Sequence, residues 1–165
     1  MRGRRLRGGQ RHQHHARGLR RPGPLGGNLS GDGRNEDCNG SGSHMAGTVA
    51  GTTYGVARKA HLIAVKVASC GGTVKAGNVV AGIDWAAQSA RQSGRPSVAL
   101  LGVVSTSTPL RFAVNAAVAS GLLVVDPAGN DDEDACTLGA AEKALTLNDI
   151  PQATPNELLF IDPPR

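Results

Sequence analysis

The residues best suited to chemistry lie between Asp37 and Val56, in the segment DCNGSGSHMAGTVAGTTYGV. His44 carries an imidazole that could accept a proton, and Ser41 carries a hydroxyl that could attack a carbonyl carbon. An alanine- and glycine-rich stretch with helical spacing follows His44, and its small side chains allow close packing of the backbone. We therefore predict a helix from His44 to about Thr52 at the centre of the domain.

Strand and helix patterns alternate downstream of this helix. The runs His61–Ala68, Ser97–Val104 and Leu122–Asp126 are apolar and typical of buried strands. A helix is predicted within residues 73–93, where the apolar residues recur at helical spacing: Val79, Val80, Ile83, Ala86 and Ala87. A second helix is predicted from Pro109 to about Ser120. The alternation indicates an α/β domain with a parallel β-sheet flanked by helices.

The segment around His44 resembles the active-site histidine segment of subtilisin-like serine proteases, in the proteinase K-like branch. That segment reads D-x-N-G-H-G-T-H-V-A-G-T, and the positions kept here are Asp37, Asn39, Gly40, Gly42, His44, Ala46, Gly47 and Thr48. In the family the first histidine is the general base, and Ser41 stands at that position. His44 matches the second histidine, which we interpret as structural. The resemblance covers residues 32–143 and implies a partial three-layer subtilisin-like domain.

The resemblance implies peptide-bond hydrolysis by a serine, a histidine and an aspartate, with an asparagine amide that stabilises the oxyanion. Asn130 matches the oxyanion position. The expected D-[ST]-G and G-T-S-M-A motifs are not found in the chain, and Ser41 has no neighbouring base in the sequence. The chain is therefore predicted to be an inactive form of a serine endopeptidase, whose ligands would be peptide or protein substrates.

The resemblance also implies a substrate-binding edge, which the family forms with an S-L-G-G segment that pairs with the peptide as an added strand. Here the matching positions are Gly102, Val103, Val104 and Ser105, so a valine and a serine replace the glycines. Ala128 and Gly129 are the small residues before Asn130. Asp126 and Pro127 replace small apolar residues, and the proline lacks a backbone donor.

Three cysteines occur in the chain. Cys38 and Cys70 match positions that form a disulfide in the thermostable bacterial branch of the family, so the resemblance implies that they pair. Cys136 also matches a family cysteine, whose usual partner would lie beyond Arg165. A free thiol is the other interpretation of Cys136.

The two ends of the chain differ from the middle. Residues 1–31 are predicted to be a disordered basic arm, since eight arginines and no acidic residue occur within residues 1–21. Codons can be chosen for this arm that, when read one base later, encode Asp-Ser-Gly, which fits the family's D-[ST]-G motif. Residues 1 to about 27 could therefore be an out-of-frame translation of the segment that carries the catalytic aspartate. Residues 32–146 form the predicted peptidase domain, and residues 147–165 are predicted to be an irregular tail.

Two functions other than proteolysis are compatible with the sequence. A pseudoprotease that binds or regulates a partner is the first alternative, and a nucleic-acid binder that uses the basic arm is the second.

The acidic run after Asn130 could bind calcium, but a solvated loop is the simpler interpretation, so no metal and no cofactor is expected. The run comprises Asp131, Asp132, Glu133 and Asp134. No apolar run is long enough to span a membrane. The family is usually secreted, but no signal peptide is seen.

Overall fold

A computed structural model describes residues 25–102, 107–128, 144–147 and 157–162. Three helices and six strands are described in these ranges. In chain order they are β1 (Leu25–Asn28), α1 (Ser41–Ala50), β2 (His61–Lys66), α2 (Ala76–Ser93), β3 (Val98–Leu101), α3 (Thr108–Ala119), β4 (Leu123–Pro127), β5 (Leu145–Leu147) and β6 (Glu157–Asp162). The predicted alternation of strands and helices is confirmed from β2 to β4.

The strands form one six-stranded sheet in the order β1-β2-β6-β3-β4-β5. The pairs β1–β2, β3–β4 and β4–β5 are parallel. β6 lies between β2 and β3 and is antiparallel to both. The α/β class is confirmed, but the sheet is mixed, because a strand from the end of the chain occupies its centre.

The ends of the chain contain two strands that the sequence analysis did not predict. Residues 157–162 fall in the predicted irregular tail, yet they pair with six residues of β2 from His61 to Lys66. The segment contains four consecutive apolar residues, a pattern that is typical of a strand. Residues 25–28 fall in the predicted disordered arm, and there Gly27 pairs with Val65 of β2. Residues 1–24, including most of the segment suspected to be out of frame, lie outside the described ranges.

The core lies between the sheet and the helices α2 and α3. On α2 the predicted apolar stripe is buried, with Val79, Ile83, Ala86 and Ala87 facing the sheet and Val80 partly buried. On α3 the same spacing buries Leu110, Ala113, Val114 and Ala117. Small, β-branched and leucine side chains fill this core and pack the helices closely onto the sheet.

Local sequence signals fix where α2 ends and where α3 begins. Gly94 follows α2 with φ of 65°, a left-handed conformation that closes the helix at little cost for glycine. Pro109 lies in the first turn of α3, where its missing N–H has no intrahelical acceptor to lose. Within the described part of the chain, no helix has the length and apolar character needed to cross a bilayer.

Candidate functional site

Two of the predicted substrate-binding residues lie at one edge of the sheet. Gly102 directly follows β3 and Ala128 directly follows β4. Because β3 and β4 are parallel neighbours, both residues stand at the carboxyl edge, where open α/β sheets bind their ligands. Gly102 is buried and Ala128 is partly buried. The other predicted residues of this edge, Val103, Val104, Gly129 and Asn130, lie outside the described residues.

Ser41 is the first residue of α1, directly after Gly40, which has a left-handed φ of 86°. The Ser41 side chain is buried, with 5% of the residue exposed. Its hydroxyl donates to Asn39 Oδ1 over 2.8 Å, and its backbone N–H donates to the same oxygen over 3.2 Å. The Ser41 hydroxyl is thus held by a local turn, and a hydroxyl is not a proton acceptor near neutral pH.

Asp37 holds the start of α1. Its Oδ1 accepts the N–H of Gly40 at 2.9 Å and its Oδ2 accepts the N–H of Ser43 at 2.7 Å. Both N–H groups belong to the helix start, which lacks intrahelical acceptors. The negative charge of the carboxylate also suits the positive end of the helix. Asp37 therefore fixes the backbone that carries Ser41.

His44 lies one turn further along α1, and its side chain is exposed. Its backbone N–H donates to the carbonyl oxygen of Gly40 at 2.9 Å, and its own carbonyl oxygen accepts the Thr48 hydroxyl at 3.1 Å. These bonds belong to the helix backbone and to a side chain that bonds back to it. The imidazole itself faces solvent, whereas the Ser41 hydroxyl is buried.

A polar cluster that the sequence analysis missed surrounds Asp32, in the loop between β1 and α1. Asp32 Oδ1 accepts the Ser30 hydroxyl at 2.7 Å and the Arg34 N–H at 3.0 Å. Asp32 Oδ2 accepts the backbone N–H of Cys70 at 2.7 Å, so the carboxylate joins two loops that are 38 residues apart. The Arg34 N–H, followed by the Ser30 hydroxyl and the Cys70 N–H, holds the pKa of Asp32 well below its usual range despite the opposing effect of burial.

Lys66, the last residue of β2, forms the cationic side of this cluster. Its side chain is only 3% exposed, and its ammonium lies 3.7 Å from Asp32 Oδ2, whose side chain is 17% exposed. The ammonium also donates to the carbonyl oxygen of Glu36 at 3.2 Å. A buried lysine needs such partners, because an unpaired charge away from water is costly. The sequence signal for this cluster was the lysine that ends the largely apolar strand HLIAVK.

Cys38 and Cys70 are joined by a disulfide whose Cα atoms are 5.2 Å apart. This bond links the loop before α1 to the turn after β2. Glu36 lies beside the two cysteines, and the three potential ligand atoms are within 4.8 Å of one another. Because both sulfurs are used in the disulfide, the Glu36 carboxylate alone would be left to bind a metal ion there.

Asp126 is a buried carboxyl group that was not a candidate site residue in the sequence. It precedes Pro127, the last residue of β4, and only 1% of it is exposed. It lies close to the carboxyl edge, two residues before Ala128. The signal in the sequence was an Asp-Pro pair that ends the apolar run LLVV.

Comparisons with known proteins find relatives over most of the chain. The sequence profile of the subtilase family matches residues 27–157. Proteinase T of Parengyodontium album is 40% identical over 135 residues, which cover 73% of this chain and 46% of that protein. The extracellular serine proteinase of Thermus sp. (strain Rt41A) is 44% identical over 112 residues, or 68% of this chain and 27% of that protein.

A third relative is the alkaline serine exoprotease A of Vibrio alginolyticus, 45% identical over 109 residues, which cover 66% of this chain and 20% of that protein. The fold and these matches define an α/β protein related to serine peptidases. The chain belongs to the subtilase family. It spans less than half of the length of these three relatives.

Proposed function

We propose that this chain is a subtilase-family protein that binds peptide or protein segments without hydrolysing them. The proposal depends on Ser41, which begins α1 at the position of the family's general base. The general base of a serine protease must accept a proton near neutral pH, which a hydroxyl does not do. The Ser41 hydroxyl instead donates to Asn39 Oδ1 and is buried.

The carboxyl edge of the sheet supports the binding part of the proposal. Gly102 and Ala128 follow two adjacent parallel strands, β3 and β4. Neither residue carries a side chain beyond a methyl group, so an extended peptide could approach the backbone there and pair with it. Such pairing uses main-chain hydrogen bonds and needs no catalytic group.

Hydrolysis is tested with the purified chain on casein, alongside a fluorophosphonate probe that labels activated serines. We expect no product above background and no labelling, while an active serine protease assayed in parallel gives both. The matched variants are Ser41→Ala and His44→Ala. Casein hydrolysis that is lost in Ser41→Ala would overturn the proposal and make Ser41 a nucleophile.

Binding is tested by the fluorescence anisotropy of labelled casein-derived peptides. Gly102→Leu adds a side chain at the carboxyl edge and should weaken binding by about tenfold, or about 1.4 kcal/mol. Tyr54→Ala is the control and should leave the affinity unchanged. Tyr54 is 91% exposed and lines a groove with Pro96 and Gly121, which precede β3 and β4 and therefore lie at the amino ends of these strands, away from Gly102. Equal affinities for wild type and Gly102→Leu would contradict binding at this edge.

A further inference from the structure

The two sulfurs of the Cys38–Cys70 disulfide lie in different surroundings. Cys38 is exposed in the loop before α1, whereas Cys70 is partly buried in the turn after β2. A thiolate attacks a disulfide in line with the S–S bond and expels the other sulfur. Access from solvent therefore favours attack on Cys38, with Cys70 as the leaving group.

Charged groups around the disulfide favour the same direction. The Lys66 ammonium lies 3.7 Å from Cys70 Sγ, and a neighbouring cation stabilises a thiolate. Glu36 Oε1 lies 4.0 Å from Cys38 Sγ, and a Glu36 carboxylate oxygen is also within 4.8 Å of Cys70 Sγ, so Glu36 opposes a thiolate on either cysteine and Lys66 sets the direction. A salt bridge to Arg34 reduces the repulsion that this carboxylate exerts on an incoming anion.

The remaining acidic group near Cys70 is Asp32. Its Oδ2 accepts the Cys70 N–H at 2.7 Å, and its Oδ1 accepts the Ser30 hydroxyl and the Arg34 N–H. These donors balance much of the Asp32 charge before any thiolate forms. Lys66 lies within 4 Å of Cys70 Sγ and can stabilise the departing sulfur.

We propose that this disulfide is a thiol-exchange site at which a low-molecular-mass thiol modifies Cys38 and releases Cys70. The incoming thiolate sulfur bonds to Cys38 Sγ, the Cys38–Cys70 bond breaks, and its electron pair leaves on Cys70 as a thiolate beside Lys66. A second thiolate can attack the added sulfur, which yields the external disulfide and a Cys38 thiolate. No other oxidant or reductant is needed.

The fold offers a reason for the mixed disulfide to survive on the folded chain. After exchange, the same two loops remain connected by the Asp32–Cys70 hydrogen bond and by the bond from Lys66 to the Glu36 carbonyl oxygen. The first exchange step therefore does not require the domain to unfold. The modification would sit three residues before Ser41, at the start of α1.

The decisive experiment maps the modified sulfur on the wild-type chain. Cys136 is first blocked with N-ethylmaleimide, the native protein is incubated with reduced glutathione, and the reaction is quenched and blocked again before peptide mass spectrometry. We expect glutathione on Cys38 and maleimide on Cys70, in at least tenfold excess over the reverse pattern. Glutathione mainly on Cys70, equal amounts on both, or an intact Cys38–Cys70 disulfide while circular dichroism stays native would overturn the proposal.

The part played by Lys66 is tested by exchange rates. Lys66→Met should slow the formation of the adduct about three- to tenfold, and Lys66→Arg should restore most of the rate. Lys59→Met removes an exposed cation that lies two residues before β2, away from Lys66 at the other end of the strand, and should leave the rate unchanged. If Lys66→Met does not fold, the Lys66→Arg rate and the wild-type mapping still decide. Equal rates for wild type and folded Lys66→Met would contradict the role of the ammonium.

Discussion

The indole ring of Trp85 packs directly against the backbone of Gly26. A Cβ atom at Gly26 would overlap the Trp85 ring and would come within 2.8 Å of Ile63 Cγ2. This contact joins β1, α2 and β2, so the first described strand is packed onto the domain by a glycine that leaves room for the largest side chain. The next residue, Gly27, has open space where its Cβ would be.

Gly26→Ala should therefore destabilise the domain, whereas Gly27→Ala should have little effect. Forcing a methyl group into packed space costs about 1–3 kcal/mol of unfolding free energy. Trp85 is the single tryptophan of the chain, so its fluorescence during urea unfolding reports on this contact directly. Equal midpoints for the two variants would show that Trp85 does not rest on Gly26.

Ile83→Ala tests the core between α2 and the sheet. Ile83 is fully buried, and its truncation should lower the unfolding free energy by about 2–5 kcal/mol through lost burial and the cavity left behind. Asp84→Ala, at the exposed neighbouring position of α2, is the matched control and should stay within about 0.5 kcal/mol of wild type. A loss in Ile83→Ala no larger than in the control would mean that this face of α2 is not packed.

Asp32→Asn tests the polar cluster and its dependence on pH. The folded-state pKa of Asp32 lies below its unfolded value, because the Arg34 N–H, the Ser30 hydroxyl and the Cys70 N–H stabilise the carboxylate. Its contribution to stability is thus complete well above the unfolded pKa and is lost as pH falls below about 4. At pH 7 the variant should lose about 1–3 kcal/mol of unfolding free energy. Urea unfolding from pH 7 to pH 3 should show the two curves converging on the acid side, and a constant gap would contradict this account.

Asp37→Ala tests how α1 begins. The substitution removes the acceptors of the Gly40 and Ser43 N–H groups and should cost about 1–2 kcal/mol. Amide hydrogen exchange should then accelerate in the first turn of α1 while α2 keeps its protection. Unchanged exchange at Ser43 would show that the carboxylate does not cap the helix.

Local sequence patterns predicted the central elements well. The spacing of Val79, Ile83 and Ala87 fixes a buried helix face without any knowledge of the partner, and α2 follows it closely. The apolar run that begins at His61 forms β2 for the same reason. Such elements are determined by periodicity within one segment.

Features that depend on distant partners were not predicted. β6 was missed because its pairing with β2 and β3 joins residues about 60 to 100 positions apart, which no local period records. The cluster around Asp32 was missed because its carboxylate looks like part of a polar loop until Cys70 and Lys66 are brought beside it. The buried state of Ser41 likewise depends on how the turn from Asp37 to Gly40 folds.

The position of β6 has a consequence for synthesis of the chain. The polypeptide leaves the ribosome from its amino end, so β1 to β5 emerge before β6 does. Until then β2 and β3, joined covalently through α2, both present bare backbone along the sides that β6 later covers. Nascent chains halted before residue 157 should accordingly need holding by chaperones, and the sheet closes only after residues 157–162 have left the ribosome.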